Sequence, residues 1–235
     1  MKNEFNTVCE RLQKLPVAVL ADVLYEMGYA HQALCSAIRP LSNCMKVAGP
    51  AFCIKGLSSP SVDLPAGGPD PAYELFRHMY PGCVAVIDTG GYNPASIIGE
   101  NAGIAAKVRG CTGYVVDGAI RDSQELIAME KFAVFARAIS PIAMKGRWRY
   151  VGFEIPIAMA GLTCRSVTVN PGDFVVGDAD GVLIIPRAVG AEAAEAAEEV
   201  VRREERIREE LLRGVDREEA YRRHELFAHI GQPQQ

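Results

Sequence analysis

The chain reads as an α/β domain whose mixed sheet joins a parallel part to an antiparallel part, with a C-terminal helix behind it. Three observations predict this class. Between residues 83 and 136, apolar runs alternate with helical spacing, the β-α-β-α-β pattern of parallel strands joined by crossovers. Between 147 and 186 the runs shorten and turn residues separate them, the texture of antiparallel strands. From residue 191 onward alanine, glutamate and arginine dominate, as in a solvated helix.

Residues 15–29, LPVAVLADVLYEMGY, have apolar positions at helical spacing and end at Gly28, a natural helix stop. Val47 to Ile54 is predicted as a strand in spite of Gly49 and Pro50. Residues 71–80 read as a short helix closed by Pro81-Gly82. Cys83-Val-Ala-Val-Ile-Asp88 is a buried strand, and a Gly/Asn/Pro loop leads from it to a helix at about 99–109. Tyr114-Val-Val-Asp117 is the next strand, followed by a short helix near 123–129 and a strand from Phe132 to Ala136. In the second half, Glu154–Ala158, Thr163–Val169, Phe174–Val176 and Val182–Ile185 are short strands. Turns fall at Pro171-Gly172-Asp173 and Asp178-Ala179-Asp180-Gly181, and Trp148 is expected on a strand.

Charge divides the chain into a balanced body, residues 1–190, and an acidic tail, residues 191–235. Residues 191–225 hold 12 acids and 8 arginines out of 29 acids and 25 basic residues in all. Glu198/Arg202, Glu199/Arg203, Glu204/Arg208 and Glu209/Arg213 stand at i,i+4 with the acid first, the favourable order for helix ion pairs. Val200, Ile207 and Leu211 form a narrow apolar stripe, so the tail is expected to lie as a charged helix on the body or on a neighbouring subunit. A dedicated interaction arm is the other reading.

Hydrophobic residues at 49% and charged residues at 23% exclude a disordered chain and predict a folded, soluble one. A net charge of −4 offers no basic footprint for nucleic acid. Glu4, Glu10 and Arg11 occupy positions where a signal peptide needs an apolar core, and no uncharged apolar run reaches spanning length. The expectation is a cytoplasmic protein without nucleic-acid or membrane partners. Cys9, Cys35, Cys44, Cys53, Cys83, Cys111 and Cys164 are odd in number and contain no C-x-x-C, so they read as reduced thiols rather than disulfides or zinc ligands.

Ligands of open α/β sheets bind at the carboxyl ends of parallel strands, so the two strand-to-helix loops are where chemistry is to be sought. The first loop, Gly90 to Ala102, offers glycines and a helix start whose free amides suit a small carboxylate. It contains neither a Gly-Lys-Ser/Thr nor a G-x-G-x-x-G turn, which disfavours nucleotides. The second loop, Asp117-Gly118-Ala119-Ile120-Arg121-Asp122, sets a guanidinium that can grip a carboxylate beside a hard oxygen ligand for a divalent cation. Taken alone, Arg121-Asp122 reads first as a salt-bridged turn capping the next helix. Glu100, twenty-one residues earlier, favours a site, because both loops open at one sheet edge. His31, His78, His224 and His229 show no ligand spacing, and Asp178 with Asp180 lacks the rest of a calcium loop.

Gly99-Glu100-Asn101-Ala102, the twenty residues after Glu100, and then Arg121-Asp122 resemble the D/E-x20-R-D motif of the RraA-like family. That family includes the 4-hydroxy-4-methyl-2-oxoglutarate/4-carboxy-4-hydroxy-2-oxoadipate aldolases. The resemblance continues through Ile38-Arg39-Pro40-Leu41, Val47-Ala48-Gly49-Pro50-Ala51, Pro171-Gly172-Asp173 and Asp178-Ala179-Asp180-Gly181-Val182, over roughly residues 15–214.

It implies a layered β/β/α, swivelling-domain-like fold and a class II pyruvate aldolase using Mg²⁺ or Mn²⁺, in a trimer or hexamer with sites between subunits. It further implies that Arg121 holds the pyruvyl group, Asp122 ligates the metal, Glu100 holds metal-bound water, and the backbone from Gly99 through Glu100 and Asn101 to Ala102 takes the carboxylate. Glu100 stands where the motif is usually written Asp, one methylene longer, which suits a contact through water. A neighbouring subunit's C-terminal helix would lend an acid, Glu204 and Glu205 being the nearest candidates. Groups that contact the far end of the substrate are expected on loops such as 56–70 and on the neighbouring chain.

The chemistry calls for these groups. Retro-aldol cleavage of a 4-hydroxy-2-oxo acid leaves electrons on the pyruvyl fragment, where a Lewis-acidic cation and Arg121 would stabilise them. Oxaloacetate decarboxylation is a plausible companion activity. Lys55, Lys107 and Lys145 carry no mark of a Schiff-base lysine. The alternative is a non-catalytic regulator of the kind that inhibits a ribonuclease complex. Such regulators can lack the acid after the arginine, which this chain keeps as Asp122. A methyltransferase reading finds no glycine-rich cofactor turn.

Overall fold

Four strands run parallel through the centre of the protein because their residues are apolar on both faces. In a computed structural model that describes residues 2–58 and 71–231, these are β2 (Val47–Ser58), β3 (Val84–Asp88), β5 (Gly113–Ile120) and β6 (Ala133–Ile139), in spatial order β6-β5-β3-β2. Phe52, Ile54, Ala85, Ile87, Tyr114 and Val116 face one way into a core closed by α3 (Pro71–His78), α4 (Glu100–Val108) and α5 (Ser123–Ala128). Cys53, Val86, Val115 and Phe135 face the other way, toward the two-stranded sheet of β8 (Ile157–Ala160) and β9 (Ser166–Val169). Helices, main sheet and small sheet are thus the expected β/β/α layers.

The main sheet continues antiparallel. β10 (Phe174–Asp178) pairs with the start of β2, and β11 (Gly181–Ile185) pairs with β10 through the Asp178–Gly181 hairpin. Period-two alternation sends Val175, Val182 and Ile184 into the inter-sheet core. Phe174, Val176, Leu183 and Ile185 go to a third core with α1 (Lys2–Leu12), α2 (Val17–Glu26) and α6 (Gly190–Leu212). β1 (Arg39–Pro40) pairs with β6, and α7 (Arg217–His224) closes the described chain.

Several elements differ from expectation for identifiable reasons. The segment predicted as a strand from Glu154 begins instead with a turn: Glu154 has φ 53°, its amide donates to Cys53 O, and β8 starts at Ile157. Before that turn, β7 (Trp148–Phe153) pairs antiparallel with β2, so Trp148 is a strand residue. The Gly90 loop contains a short strand, β4 (Ser96–Ile98), against β5. The opening residues, read only for their charges, form α1.

On α6 the apolar stripe starts earlier than expected, with Ala193, Ala194 and Ala197 before Val200 and Ile207, while Leu211 is exposed. Glu198 turns away from Arg202 and accepts from Arg11 on α1 at 2.7 and 2.9 Å. Arg202 pairs with Glu199 instead, which Arg203 also binds, and these two hydrogen bonds hold the Glu199 carboxyl down at about 2. Among the described residues no helix is long and apolar enough to cross a membrane, and every cysteine is a free thiol. Residues 59–70 of the loop expected to contact substrate lie outside the described residues.

Candidate functional site

The parallel strands end at two polar sites on opposite faces of the sheet. On the inter-sheet face a row of charges crosses four strands: Lys55 is paired across the ladder with Asp88, and Asp117 and Arg137 follow on the next two strands, joined by an ion pair. Lys55 Nζ lies 2.5 Å from Asp88 Oδ2, and Arg137 grips Asp117 Oδ1 with Nε at 2.6 Å. The two buried carboxylates stand side by side, each paired with an outer cation, as buried charges require. The row also fixes the first loop. Gly90 N donates to Asp88 Oδ1 at 2.9 Å, while Thr89 Oγ1 donates to Asp117 O and accepts from Tyr92 N.

On the helix face, the loops after β4 and β5 meet in a cleft of about 210 Å³. Its polar side is formed by Gly99, Asn101, Ala102, Arg121 and Asp122. Of the residues the sequence picks out, Glu100 alone is absent from the wall; it enters through its backbone. Glu100 N donates to Asp122 Oδ2 at 3.0 Å, and Arg121 Nε stands 3.5 Å from the same oxygen.

Asp122 occupies the N-cap position of α5 but makes no cap hydrogen bond there. Its left-handed backbone, φ 53° and ψ 45°, turns the carboxylate onto the N-terminus of α4, where the helix dipole favours negative charge. A non-glycine residue in that region costs about 1 kcal/mol or more, and such strain concentrates at functional sites. A side chain at Gly99 would run into Asp122 Oδ2 and come within 3.0 Å of Arg121 Cγ, so only glycine allows this approach.

The helix start itself is held firmly. Tyr114 OH donates to Ala102 O at 3.0 Å and Tyr150 OH to Ile97 O at 3.2 Å. Burial pushes the Tyr114 phenol well above its ordinary pKa, so it stays a donor. Arg121 N donates to Ile98 O at 3.0 Å, tying the second loop to the first. With Glu100 N committed to Asp122, the amides of Asn101 and Ala102 remain as the orphan donors of the first turn, aimed where an anion can sit.

A divalent cation fits the donor set in one way. Asp122 Oδ2 is occupied by Glu100 N, which leaves Oδ1 as the hard oxygen ligand. No group of three or more His, Cys, Asp or Glu side chains suited to a metal occurs among the described residues. An ion held by one carboxylate, with water and substrate oxygens filling its shell, matches Mg²⁺ or Mn²⁺ rather than a closed zinc site.

Glu204 and Glu205 lie on α6, packed over the third core, and neither lines the cleft of its own chain. His78 lies against Phe153 with ring centroids 5.0 Å apart and planes tilted by 42°, and its Nδ1 bonds Glu74 O rather than any group of the cleft. Sequence reasoning missed the apolar wall of Phe76, Met144 and Tyr150. The one available signal was the inward alternation of Trp148 and Tyr150 along β7.

Comparison with known proteins bears on the same region. The sequence profile of a family described as RraA-like, Aldolase/RraA, matches residues 17–184. An uncharacterized protein of Methanocaldococcus jannaschii is 39% identical over 131 residues, 56% of this chain and 59% of that protein. The chain therefore spans somewhat more than half the length of that relative. A protein of Halalkalibacterium halodurans named "Putative 4-hydroxy-4-methyl-2-oxoglutarate aldolase" is 32% identical over 180 residues, 75% of each chain. The crystal structure of Streptomyces coelicolor RraAS2, titled an unusual member of the RNase ES inhibitor RraA protein family, superposes with a TM-score of 0.72. It covers 85% of this chain and 95% of that one at 23% identity, a likeness of fold.

Proposed function

This chain belongs to the RraA-like, Aldolase/RraA family, and on that premise we propose that it is a metal-dependent class II pyruvate aldolase. It cleaves a 4-hydroxy-2-oxo acid, such as 4-hydroxy-4-methyl-2-oxoglutarate or 4-carboxy-4-hydroxy-2-oxoadipate, to pyruvate and a second oxo acid. The observation that carries the proposal is the convergence of Arg121, Asp122 and the α4 amides on one cleft, fixed by the Glu100 N to Asp122 Oδ2 bond.

Each group has a task. The amides of Asn101 and Ala102 receive the substrate carboxylate at the positive end of α4. Arg121 holds the 2-oxo oxygen and stabilises the negative charge that develops there as the carbon-carbon bond breaks. Asp122 would hold Mg²⁺ or Mn²⁺ through Oδ1, and such an ion, when bound, supplies Lewis-acid stabilisation of that same charge. We assign to Glu100 the holding of the water that accepts the C4 hydroxyl proton. The C-terminal helix of a neighbouring copy, with Glu204 or Glu205, would complete the site in a trimer or hexamer. Decarboxylation of oxaloacetate needs the same stabilised pyruvyl carbanion and is the expected companion activity.

The test is pyruvate release from a panel of 4-hydroxy-2-oxo acids and oxaloacetate, with Mg²⁺ or Mn²⁺ and after exhaustive chelation. Metal-dependent release is the expected result. Absence of turnover on every member of the panel would favour a binding role of the kind named for the Streptomyces relative.

A further inference from the structure

A second cleft, about 570 Å³ against the 210 Å³ of the first, opens at the other end of the sheet, where the parallel strands begin. Lys46 lies just before β2, Thr112 just before β5 and Phe132 just before β6. Thr112 precedes the eight residues of β5 and Arg121 follows them, so the two clefts stand a strand apart, roughly 26 Å. They share no residue. The floor of the lower cleft is apolar and fixed: Met45, Val47 and Phe132 are buried there, and Val134 N donates to Met45 Sδ at 3.4 Å. Ile127 and Met129, from the end of α5, make an apolar side wall on which Ile127 is still 37% exposed. The charge on this cleft is of one sign, in a chain of net charge −4. Lys46 and Lys131 line it, no acid does, and among the described residues neither lysine has an ion-pair partner. Lys131 also holds a left-handed backbone, φ 55°, which glycine or asparagine adopts at less cost, and such strain gathers at functional sites.

We infer that this lower cleft is a second ligand site, which takes a small organic oxyanion carried on an apolar body. The two ammonium groups are point charges without the planar fork of arginine, so they accept a carboxylate or a phosphate ester alike. The hydrocarbon of such a ligand covers Val47, Phe132 and the Ile127 wall and gains by leaving water. A bare inorganic anion would leave that floor wet, and two lysines are too few to hold a nucleic-acid backbone. The volume falls in the range of small-molecule sites. Because the two clefts are separate, the inference stands whether or not the upper one is an aldolase centre.

Cys44 gives a local readout, because this exposed thiol lines the lower cleft and not the upper one. The full-length protein is labelled with iodoacetamide, a neutral reagent, and modification of Cys44 is followed by mass spectrometry at rising concentrations of 8-anilinonaphthalene-1-sulfonate. The uncharged N-phenyl-1-naphthylamine, which has the same rings without the sulfonate, is the control. The sulfonate should protect Cys44 in a saturable manner and at lower concentration than the amine. In the double variant Lys46→Met/Lys131→Met, half-protection should need roughly tenfold more sulfonate, while the amine should be unaffected. The double variant Lys46→Arg/Lys131→Arg should restore protection, and Arg121→Met should leave it unchanged. Absence of protection, or protection that is equal for the two probes or insensitive to the lysine variants, would overturn the inference. So would a loss in the methionine variant that the arginine variant shares, since the effect would then be one of folding, read by circular-dichroism melting, rather than of charge.

Discussion

Replacing Asp122 separates its structural task from its chemical one. The carboxylate caps α4 through Oδ2, Oδ1 is the oxygen proposed to ligate a cation, and the backbone is left-handed. Asparagine keeps an acceptor oxygen for the Glu100 amide and tolerates the left-handed region, so Asp122→Asn should change stability by less than about 1 kcal/mol. Alanine loses the cap, worth about 0.5–2 kcal/mol, and strains the backbone by about 1 kcal/mol more. For a domain of this size each kcal/mol moves Tm by about 2–4 °C. Asp122→Ala should therefore melt roughly 3–12 °C below wild type, and Asp122→Asn close to it. Both should lose metal-dependent pyruvate release, because neither offers an anionic oxygen ligand. Circular-dichroism melting and a pyruvate-coupled assay, run with Mg²⁺ and after chelation, measure the two effects. Full metal-dependent turnover in the asparagine variant would refute the ligand role, and equal melting losses in both variants would refute the cap.

Arg121→Lys keeps the charge and loses the planar fork, so kcat/KM should fall roughly 10²-fold, with kcat affected as well as KM and metal affinity changed far less; a rise in KM alone would mean ground-state anchoring only. The Arg11 guanidinium holds the Glu198 carboxyl below its ordinary value. Wild type should therefore melt above Arg11→Met at neutral pH, and the gap should shrink as pH falls below about 4.5 and through the depressed folded value; a gap that persists in acid would show the pair to be packing rather than charge. With a thiol reagent, exposed Cys44 should react at once in the native protein, while buried Cys53, Cys83 and Cys111 should react only on unfolding. Burial holds the Cys53 thiol far above its ordinary pKa, and rapid native labelling of that residue would contradict the packed inter-sheet core.

The parts of the fold that are legible in the sequence are those fixed by burial. β3 and β5 are buried at every position and, Asp88 and Asp117 apart, without charge, because both faces are covered, and such runs announce themselves. Elements decided by tertiary partners are not legible. β4 has three residues and exists because β5 accepts it; the Glu154 turn depends on a carbonyl of β2; and Glu198 prefers Arg11, 187 residues away, over the neighbour that helix spacing offers it. The site follows the same division. Arg121, Asp122 and the α4 amides were readable as a motif on two loops of one sheet edge. Phe76, Met144 and Tyr150 come from three separate elements, and no local pattern ties them to the cleft.

Arg121-Asp122 admitted a plain reading as a salt-bridged turn capping the helix that follows. In the folded chain Asp122 caps the helix that precedes it, across 22 residues, and pays for this with a left-handed backbone. A turn built only for stability would bond its own helix, which lies one residue away and needs no strain. The chosen geometry instead joins the two loops and holds Arg121 beside the α4 amides, with Gly99 kept small enough to permit the approach. Capping and the proposed metal binding are not competing explanations, because they would use different oxygens of one carboxylate. The cap engages Oδ2 alone, which leaves Oδ1 for that proposed role.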